Sequence, residues 1–150
     1  MIRSECAADF LKDLDTQLAS AADAPAAAMQ LIARQFSHYQ WVGIYWLHGN
    51  VLTLGPYVGP PTEHTRIAVG QGVCGTAVAE GRNQIVPDVR QVANYLACST
   101  TTRAEIVVLL RRGGEIIGQI DADADQPGAF DQSDEALLTA VAERLAAWLK

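Results

Sequence analysis

The sequence predicts an α+β fold, in which a central antiparallel sheet of about six strands has helices on one face and ligand-covering loops on the other. Helical spacing of apolar residues at both ends of the chain, and strand-like segments between them, predict this class. The long loops at 58–65 and 88–102 are placed to cover the second face. Because 150 residues is the usual length of one domain, we expect a single domain over 1–150.

Helices are predicted at the two ends of the chain. Ser4 is a candidate N-cap for a first helix, and Asp23 followed by Pro25 has the pattern that begins a second. Asp131 and Asp134 have the spacing of a capping pair before a last helix. The apolar face of that last helix comprises Leu137, Leu138, Val141, Leu145, Trp148 and Leu149.

Strands are predicted in the middle of the chain. The segments 41–47 and 51–57 flank a short turn and predict a hairpin, and the segments 105–110 and 115–120 predict a second hairpin that supplies the central strands. The shorter elements are a strand at 66–69, a glycine-rich turn at 70–75, a small helix at 76–80, a strand at 83–86 and a single helical turn within 88–102.

Composition excludes several classes of function. The net charge is -6 and the 11 Lys and Arg residues are scattered, which argues against a nucleic-acid partner. The apolar stretches are too short to cross a bilayer and the N-terminus turns polar, so we expect a cytoplasmic protein without a membrane partner. Three widely spaced cysteines suit neither a disulfide framework nor a CxxC zinc site, which predicts free thiols.

Two cysteines, Cys74 and Cys98, lie beside the predicted loops. Cys74 precedes the small helix, and a helix N-terminus favours the thiolate. Free cysteine is also among the most buried residue types, so inert core positions are the alternative interpretation. We expect Cys6, in the first helix, to be a small buried residue.

Carboxylates and aromatic rings of the predicted strands are further candidates for a binding site. Glu105 begins one central strand, while Asp121 and Asp123 end its neighbour two residues apart and therefore point to one face. A cationic partner, either an ammonium group or a metal ion, would relieve their mutual repulsion. Trp41 and Tyr45 alternate along the first strand and could wall a pocket for a compact sulfur-bearing group with an amine. Solvated acids and ordinary core rings are the alternatives.

Several motifs occur in collinear order from the first strand to the final helix. They are Trp41-Val-Gly-Ile-Tyr45, Leu54-Gly-Pro-Tyr57, Arg66-Ile-Ala-Val-Gly-Gln-Gly-Val-Cys-Gly-Thr-Ala77, Val86-Pro-Asp-Val89, Ala97-Cys98, Glu105-Ile-Val-Val108 and Ile116-Ile-Gly-Gln-Ile-Asp-Ala-Asp123. Together they resemble the free methionine-R-sulfoxide reductases, which are enzymes with the GAF fold. The resemblance covers about two-thirds of the chain and implies a single GAF-type domain.

The resemblance also implies an activity, the reduction of free L-methionine-(R)-S-oxide. It implies that Cys98 is the nucleophile, that Cys74 forms a disulfide with the resulting sulfenic acid, and that a thioredoxin-like dithiol resets the enzyme. A protonated carboxyl group would donate to the sulfoxide oxygen. The positions that match the substrate pocket are Trp41, Tyr45, Glu105, Asp121 and Asp123. This chemistry needs no metal and no organic cofactor.

The sequence departs from the family pattern at two positions. His64 stands where the family usually carries a third cysteine that resolves the sulfenic acid, so Cys74 would resolve alone. Ser99 follows the nucleophile where an acidic residue is common. His64 leaves open a zinc site with Cys74 and Cys98, because imidazole and thiolates are zinc ligands.

A second class of function stays open, namely a non-catalytic GAF module that senses a small ligand or a redox signal. Such modules usually adjoin an output domain, and the expected single domain favours a self-contained enzyme instead. A nucleotide-binding role is disfavoured because the segment 130–135 is explained by helix capping. Pairing of two copies through the first helices, giving a homodimer, is compatible with either function.

Overall fold

The computed structural model describes residues 1–93, 95 and 101–149. Four α-helices, six strands and one 3₁₀ turn occur in these residues. The helices are α1 Ser4–Leu18, α2 Ala24–Gln35, α3 Gly72–Glu80 and α4 Gln132–Trp148. The strands are β1 Trp41–His48, β2 Val51–Val58, β3 Arg66–Ala68, β4 Gln84–Val86, β5 Ala104–Arg112 and β6 Glu115–Ala124, and the 3₁₀ turn is Val89–Gln91.

The six strands form one antiparallel sheet in the order β3-β2-β1-β6-β5-β4. The hairpins β1–β2 and β5–β6 were both predicted, and they meet along the pairing of β1 with β6. In that pairing Trp41 lies opposite Asp123 and Gly43 lies opposite Asp121. The predicted α+β class with an antiparallel sheet of six strands is therefore confirmed.

The helix starts agree with the sequence at two positions and differ at a third. The Asp23 side chain accepts a hydrogen bond from the Ala26 backbone N–H at 3.0 Å. Asp131 and Asp134 form a reciprocal capping box at the start of α4, as their spacing predicts. The Ser4 prediction is wrong, because α1 begins at Ser4 itself and the residue in the cap position is Arg3, which makes no side-chain capping bond.

The main hydrophobic core lies between one face of the sheet and three helices, α1, α2 and α4. In β1, in β5 and in β6 from Gly118 onward, the residues that point into it are even-numbered, because side chains alternate along a strand. Its fully buried members from both layers include Phe10, Leu14, Ile32, Val42, Ile44, Ile106, Ile120, Leu138 and Val141. Burial of each such side chain contributes roughly 1.5–3 kcal/mol.

The opposite face carries a smaller cluster to which α3 belongs. Val73 and Ala77 of α3 pack with Tyr45 and Val107 of the sheet. The structure thus separates α3 from the other three helices, and β6 runs on to Ala124, so Asp121 and Asp123 lie within a strand and not beyond its end.

None of the helices in the described part of the chain combines the length and the apolar content that a membrane span requires.

Candidate functional site

Strand pairing brings three carboxylates together on the face that carries α3. Asp123 is paired with Glu105 across β5–β6, and Asp121 lies two residues away on the same face. Their residues are almost entirely shielded from solvent, with exposed fractions of 3% for Glu105, 0% for Asp121 and 3% for Asp123. The shared face of Asp121 and Asp123 was predicted, and burial rules out the interpretation that these are ordinary solvated acids.

Cys74 lies in the first turn of α3 and faces this acidic cluster. Its exposed fraction is 5%, and its Sγ atom lies 3.7 Å from Oε2 of Glu105 in a thiol hydrogen bond. The helix therefore begins earlier than the predicted 76–80, and Cys74 is inside it. Cys74 is thus buried in the smaller hydrophobic cluster and also contacts a carboxylate.

Glycines explain why α3 can approach the sheet at this point. A Cβ atom on Gly75 would lie 2.4 Å from the carbonyl oxygen of Ala68, so only glycine permits this contact. The Gly75 carbonyl accepts a hydrogen bond from the Gly70 N–H at 2.8 Å, which closes the glycine-rich turn. This close packing fixes the turn that carries Cys74.

Two members of the acidic cluster, Asp121 and Asp123, lack hydrogen bonds that normally accompany buried carboxylates. Within the described residues, neither carboxylate oxygen of Asp121 nor Oδ1 of Asp123 has a hydrogen-bond partner. Burial raises the pKa of Asp121. The nearby side chains of Glu105 and Cys74 offset part of this rise, although neither forms a full hydrogen bond to the Asp121 carboxylate. Burial and the charge of Asp121 together raise the pKa of Asp123 well above its usual range.

Trp41 forms an aromatic wall beside these carboxylates. Its ring stacks on Tyr57 with centroids 5.4 Å apart, and its Nε1–H donates to the carbonyl of Pro60 at 3.1 Å. A Cβ atom on Gly43 would lie 2.7 Å from Cη2 of Trp41, so the missing side chain makes room for the indole. The predicted place of Trp41 next to the cluster is thus explained by local packing.

Tyr45 lies on the same face, fully buried, with its ring 6.3 Å from that of Trp41. Its hydroxyl donates to the backbone carbonyl of His64 at 2.8 Å. Tyr45 therefore anchors the loop that contains His64, a role that the sequence alone does not indicate.

Gln119 is a polar residue at this site that the sequence analysis missed. It is fully buried, and it is paired with Tyr45 on one neighbouring strand and with Leu109 on the other. Its Nε2 atom donates a hydrogen bond to the carbonyl of Cys74 at 3.0 Å. The signal was present in the sequence, because Gln119 interrupts an apolar strand at the same parity as Asp121.

A cavity of about 240 Å³ opens next to the acidic cluster. It is lined by Gln40, Trp41, Pro60, Thr101, Thr102, Asp123, Ala124 and Asp125. The combination of an aromatic wall, buried carboxylates and a thiol suits a small cationic molecule that carries a sulfur group.

The other two cysteines have different outcomes. Cys98, the predicted nucleophile, lies outside the described residues. Cys6 is exposed on α1, so the prediction that it is buried is wrong.

Comparison with known proteins gives consistent matches. The GAF domain family matches residues 25–149. Free methionine-R-sulfoxide reductase of Escherichia coli strain K12 is 34% identical over 138 residues, which span 90% of this chain and 83% of that protein. GAF domain-containing protein A of Dictyostelium discoideum is 40% identical over 132 residues, spanning 87% of this chain and 80% of that protein.

A solved structure supports the same relationship. The X-ray structure of free methionine-R-sulfoxide reductase from Neisseria meningitidis in complex with its substrate has a TM-score of 0.92 and 32% identity. That match covers 99% of this chain and 90% of the Neisseria chain.

Proposed function

This chain belongs to the GAF domain family and, within it, to the free methionine-R-sulfoxide reductases, and from this membership we propose that it reduces free L-methionine-(R)-S-oxide to methionine. The observation that carries the proposal is the buried cluster of three carboxylates facing a thiol beside a small cavity. A free amino acid supplies the ammonium group that such a cluster lacks.

In the proposed complex, the substrate ammonium pairs with Asp121 and Asp123. Both carboxylates are buried without a full set of partners, and an ammonium group offers three donors. Trp41 contacts the sulfoxide methyl group with its ring face, with Tyr45 behind it. The need for a free ammonium group explains selectivity for the amino acid over a methionine sulfoxide residue within a peptide chain.

We assign the nucleophile to Cys98 on the resemblance of the sequence. Its thiolate attacks the sulfoxide sulfur and forms a bond to it, while the sulfoxide oxygen takes up a proton. The resulting hydroxyl passes to the Cys98 sulfur as the bonds from the substrate sulfur to oxygen and to Cys98 break, so that methionine leaves and Cys98 is a sulfenic acid. A carboxyl group of the cluster that is not paired with the ammonium group donates this proton to the sulfoxide oxygen.

The second half of the reaction restores the thiols. Cys74 attacks the sulfenic sulfur, water leaves, and a Cys74–Cys98 disulfide forms. A thioredoxin-like dithiol then reduces this disulfide and is itself oxidised. Because the cycle starts from reduced thiols, we place it in the cytoplasm.

Turnover of free methionine-R-sulfoxide with a thioredoxin recycling system tests the proposal. We expect Cys98→Ser to release no methionine even in a single turnover. Cys74→Ser should release one methionine per chain and then stop, with a sulfenic acid trapped by a dimedone-type probe. The exposed Cys6 supplies the matched control, so Cys6→Ser should turn over like the wild type.

The outcome in the wild type decides between the two classes of function. If the fully reduced protein binds methionine or its sulfoxide but forms no product, the chain is a ligand-binding GAF module. Product formation in Cys98→Ser would instead move the nucleophile to another thiol.

A further inference from the structure

The side chains of Cys74, Glu105 and Asp121 converge in a way that the proposed reaction does not require. One potential ligand atom from each residue, the sulfur and one oxygen of each carboxylate, lies within 4.8 Å of the other two. All three residues are buried, and they come from three separate elements, α3, β5 and β6. Such convergence of one thiol and two carboxylates matches the ligand types of a zinc-class cation.

The spacing agrees with tetrahedral coordination. With metal–sulfur and metal–oxygen distances of about 2.3 and 2.1 Å, the sulfur and oxygen of two ligands are about 3.6 Å apart. The Cys74 sulfur and Oε2 of Glu105 are 3.7 Å apart, so this pair needs almost no movement. Small rotamer adjustments bring the Asp121 oxygen, which is already within 4.8 Å of both, into the same shell.

A second and independent observation points to a cation here. Asp121 is fully buried, and neither of its oxygens has a hydrogen-bond partner within the described residues. A buried carboxylate in that state is stabilised by a positive charge in direct contact. Asp123, two residues along β6 on the same face, adds further negative potential.

We propose that Cys74, Glu105 and Asp121 form a binding site for a thiophilic divalent cation of the zinc class, which competes with the substrate ammonium group and holds Cys74 as a metal-bound thiolate. The inhibitory consequence, though not the binding itself, rests on the proposed function. An ion bound there inhibits the reductase in two ways. It occupies the site of the substrate ammonium group, and it binds the Cys74 thiolate, which is then unable to form the disulfide. The fourth coordination position is left for water or another ligand.

The ligand types determine which ions fit. A thiolate selects Zn²⁺ and Cd²⁺ over Mg²⁺ and Ca²⁺, which prefer oxygen ligands and higher coordination numbers. The site also differs from the zinc set of His64, Cys74 and Cys98 left open by the sequence, because two strand carboxylates replace the imidazole and the second thiol.

The test is a titration of the tag-free, fully reduced protein with Zn²⁺, followed by calorimetry, and with Cd²⁺, followed by the ultraviolet thiolate-to-metal charge-transfer band. We expect one ion per chain in the wild type and in Cys6→Ser, and no comparable binding of Mg²⁺. Loss of a residue that only hydrogen-bonds to a metal ligand lowers metal affinity about 10–100-fold. Loss of a ligand itself, in Cys74→Ser or Asp121→Asn, should therefore weaken binding by more than about 100-fold. Far-ultraviolet circular dichroism checks that each variant is folded.

Binding that survives unchanged in Asp121→Asn or Cys74→Ser overturns the site, as does the absence of stoichiometric binding in the wild type. Binding lost in Cys98→Ser but kept in Cys74→Ser would also overturn it. Glu105→Gln gives a second carboxylate variant if Asp121→Asn fails to fold.

The activity assay then separates this inference from the proposed function. Stoichiometric Zn²⁺ should abolish turnover of the wild type, and a chelator should restore it. Specific binding to a protein without reductase activity supports the site while it refutes the reductase. Full turnover with one Zn²⁺ bound overturns the inhibitory role.

Discussion

Asp121 places a carboxylate where no solvent reaches it, and this decides how the folded protein responds to pH. Burial raises its pKa, as it does that of Asp123. A carboxyl group with a raised pKa binds its proton more tightly in the folded state than in the unfolded chain. Its contribution to stability is therefore complete below the unfolded pKa and is lost as the pH rises through the folded pKa.

We expect the stability of the Asp121→Asn variant, measured as its free energy of unfolding, to rise progressively relative to that of the wild type as the pH increases from about 4 towards neutrality. The amide has the same shape and cannot ionise, so it avoids the penalty of the buried charge. Urea unfolding of both proteins at several pH values gives the difference in the free energy of unfolding, in which the shared titration of other groups cancels. A difference independent of pH would contradict the assigned cause.

The sequence predicted individual site residues where the parity of a strand was sufficient. Asp121 and Asp123 were placed on one face, because alternation along a strand is local information, whereas the place of Trp41 beside them was implied only by the family resemblance. The burial of the carboxylates, the contact of Cys74 with Glu105 and the bond from Gln119 to Cys74 depend on how α3 packs on the sheet. No pattern within a single segment encodes that packing.

At the level of elements, strand β1 depends on Gly43 to seat the indole of Trp41. We expect Gly43→Ala to push the ring out of place, because the new methyl would lie 2.7 Å from Cη2 of Trp41 and from Cβ of Tyr57. Overpacking of this kind costs roughly 1–3 kcal/mol of stability. The displaced ring should also raise the KM for methionine sulfoxide, which steady-state kinetics measure.

Gly55→Ala is the matched control for this change. Its methyl would lie 2.6 Å from Nε1 of Trp46, a residue that packs against the helix-side core and not against the site. It should lower stability by a similar amount and leave KM unchanged. An equal rise of KM in both variants would mean that general destabilisation, and not the position of Trp41, is responsible.

Asp134, in the first turn of α4, connects this helix to the segment that precedes β1. This fully buried carboxylate accepts hydrogen bonds from the Tyr39 hydroxyl at 2.8 Å and the Asp131 backbone N–H at 3.0 Å. Its Oδ1 atom also lies 2.7 Å from Nε2 of His38. One side chain thus joins the start of α4 to the segment that leads into β1.

Asp134→Ala should therefore destabilise the protein by about 2–4 kcal/mol, since it leaves the buried Tyr39 hydroxyl without its acceptor and removes half of the capping box. Asp131→Ala removes the cap together with contacts to Ser133 and to the exposed N-terminal amine, and should cost about 1 kcal/mol. Chemical denaturation of the two variants measures the difference. Equal losses would show that the aromatic contacts of Asp134 contribute nothing.

The elements themselves were largely predictable, because hairpins and caps are encoded in adjacent residues. Both hairpins and the caps of α2 and α4 were found where expected. The starts of α1 and α3 differ from the predicted positions, because Ser4 and the glycine-rich turn fit more than one local conformation. Tertiary packing of Gly75 against Ala68 selects the observed conformation of α3.

For the molecule as a whole, the cavity beside Asp123 is the place where a ligand would contribute to stability. We expect the product methionine to raise the melting temperature, because binding at about 100 times Kd adds about 2.7 kcal/mol, equivalent to about 5–10 °C for a chain of this size. Asp123→Asn should reduce this shift, since the amide cannot neutralise the ammonium group. Thermal scans with methionine and with 4-(methylthio)butanoate, which lacks the amine, make the comparison. Equal shifts with both compounds would exclude recognition of the ammonium group.

The global arrangement was predicted as a class but not in its detail. Two hairpin patterns between helical patterns at the chain ends predicted the antiparallel sheet and the layer of helices. The strand order, and with it the register that places Trp41 against Asp123, arises from pairing between distant parts of the chain. Such pairing leaves no signature within a short window of sequence.

That distant pairing also has a kinetic meaning. Each hairpin closes across a turn of a few residues, whereas β1 and β6 join only after a long intervening segment has been brought back, which carries a larger loss of chain entropy and slows folding. The face that holds the carboxylates spans this junction. During synthesis, a nascent chain that has emerged only as far as β5 consequently has the thiol of Cys74 and the carboxylate of Glu105 but no acidic partner from β6, and the acidic cluster is complete only when the final strand is inserted.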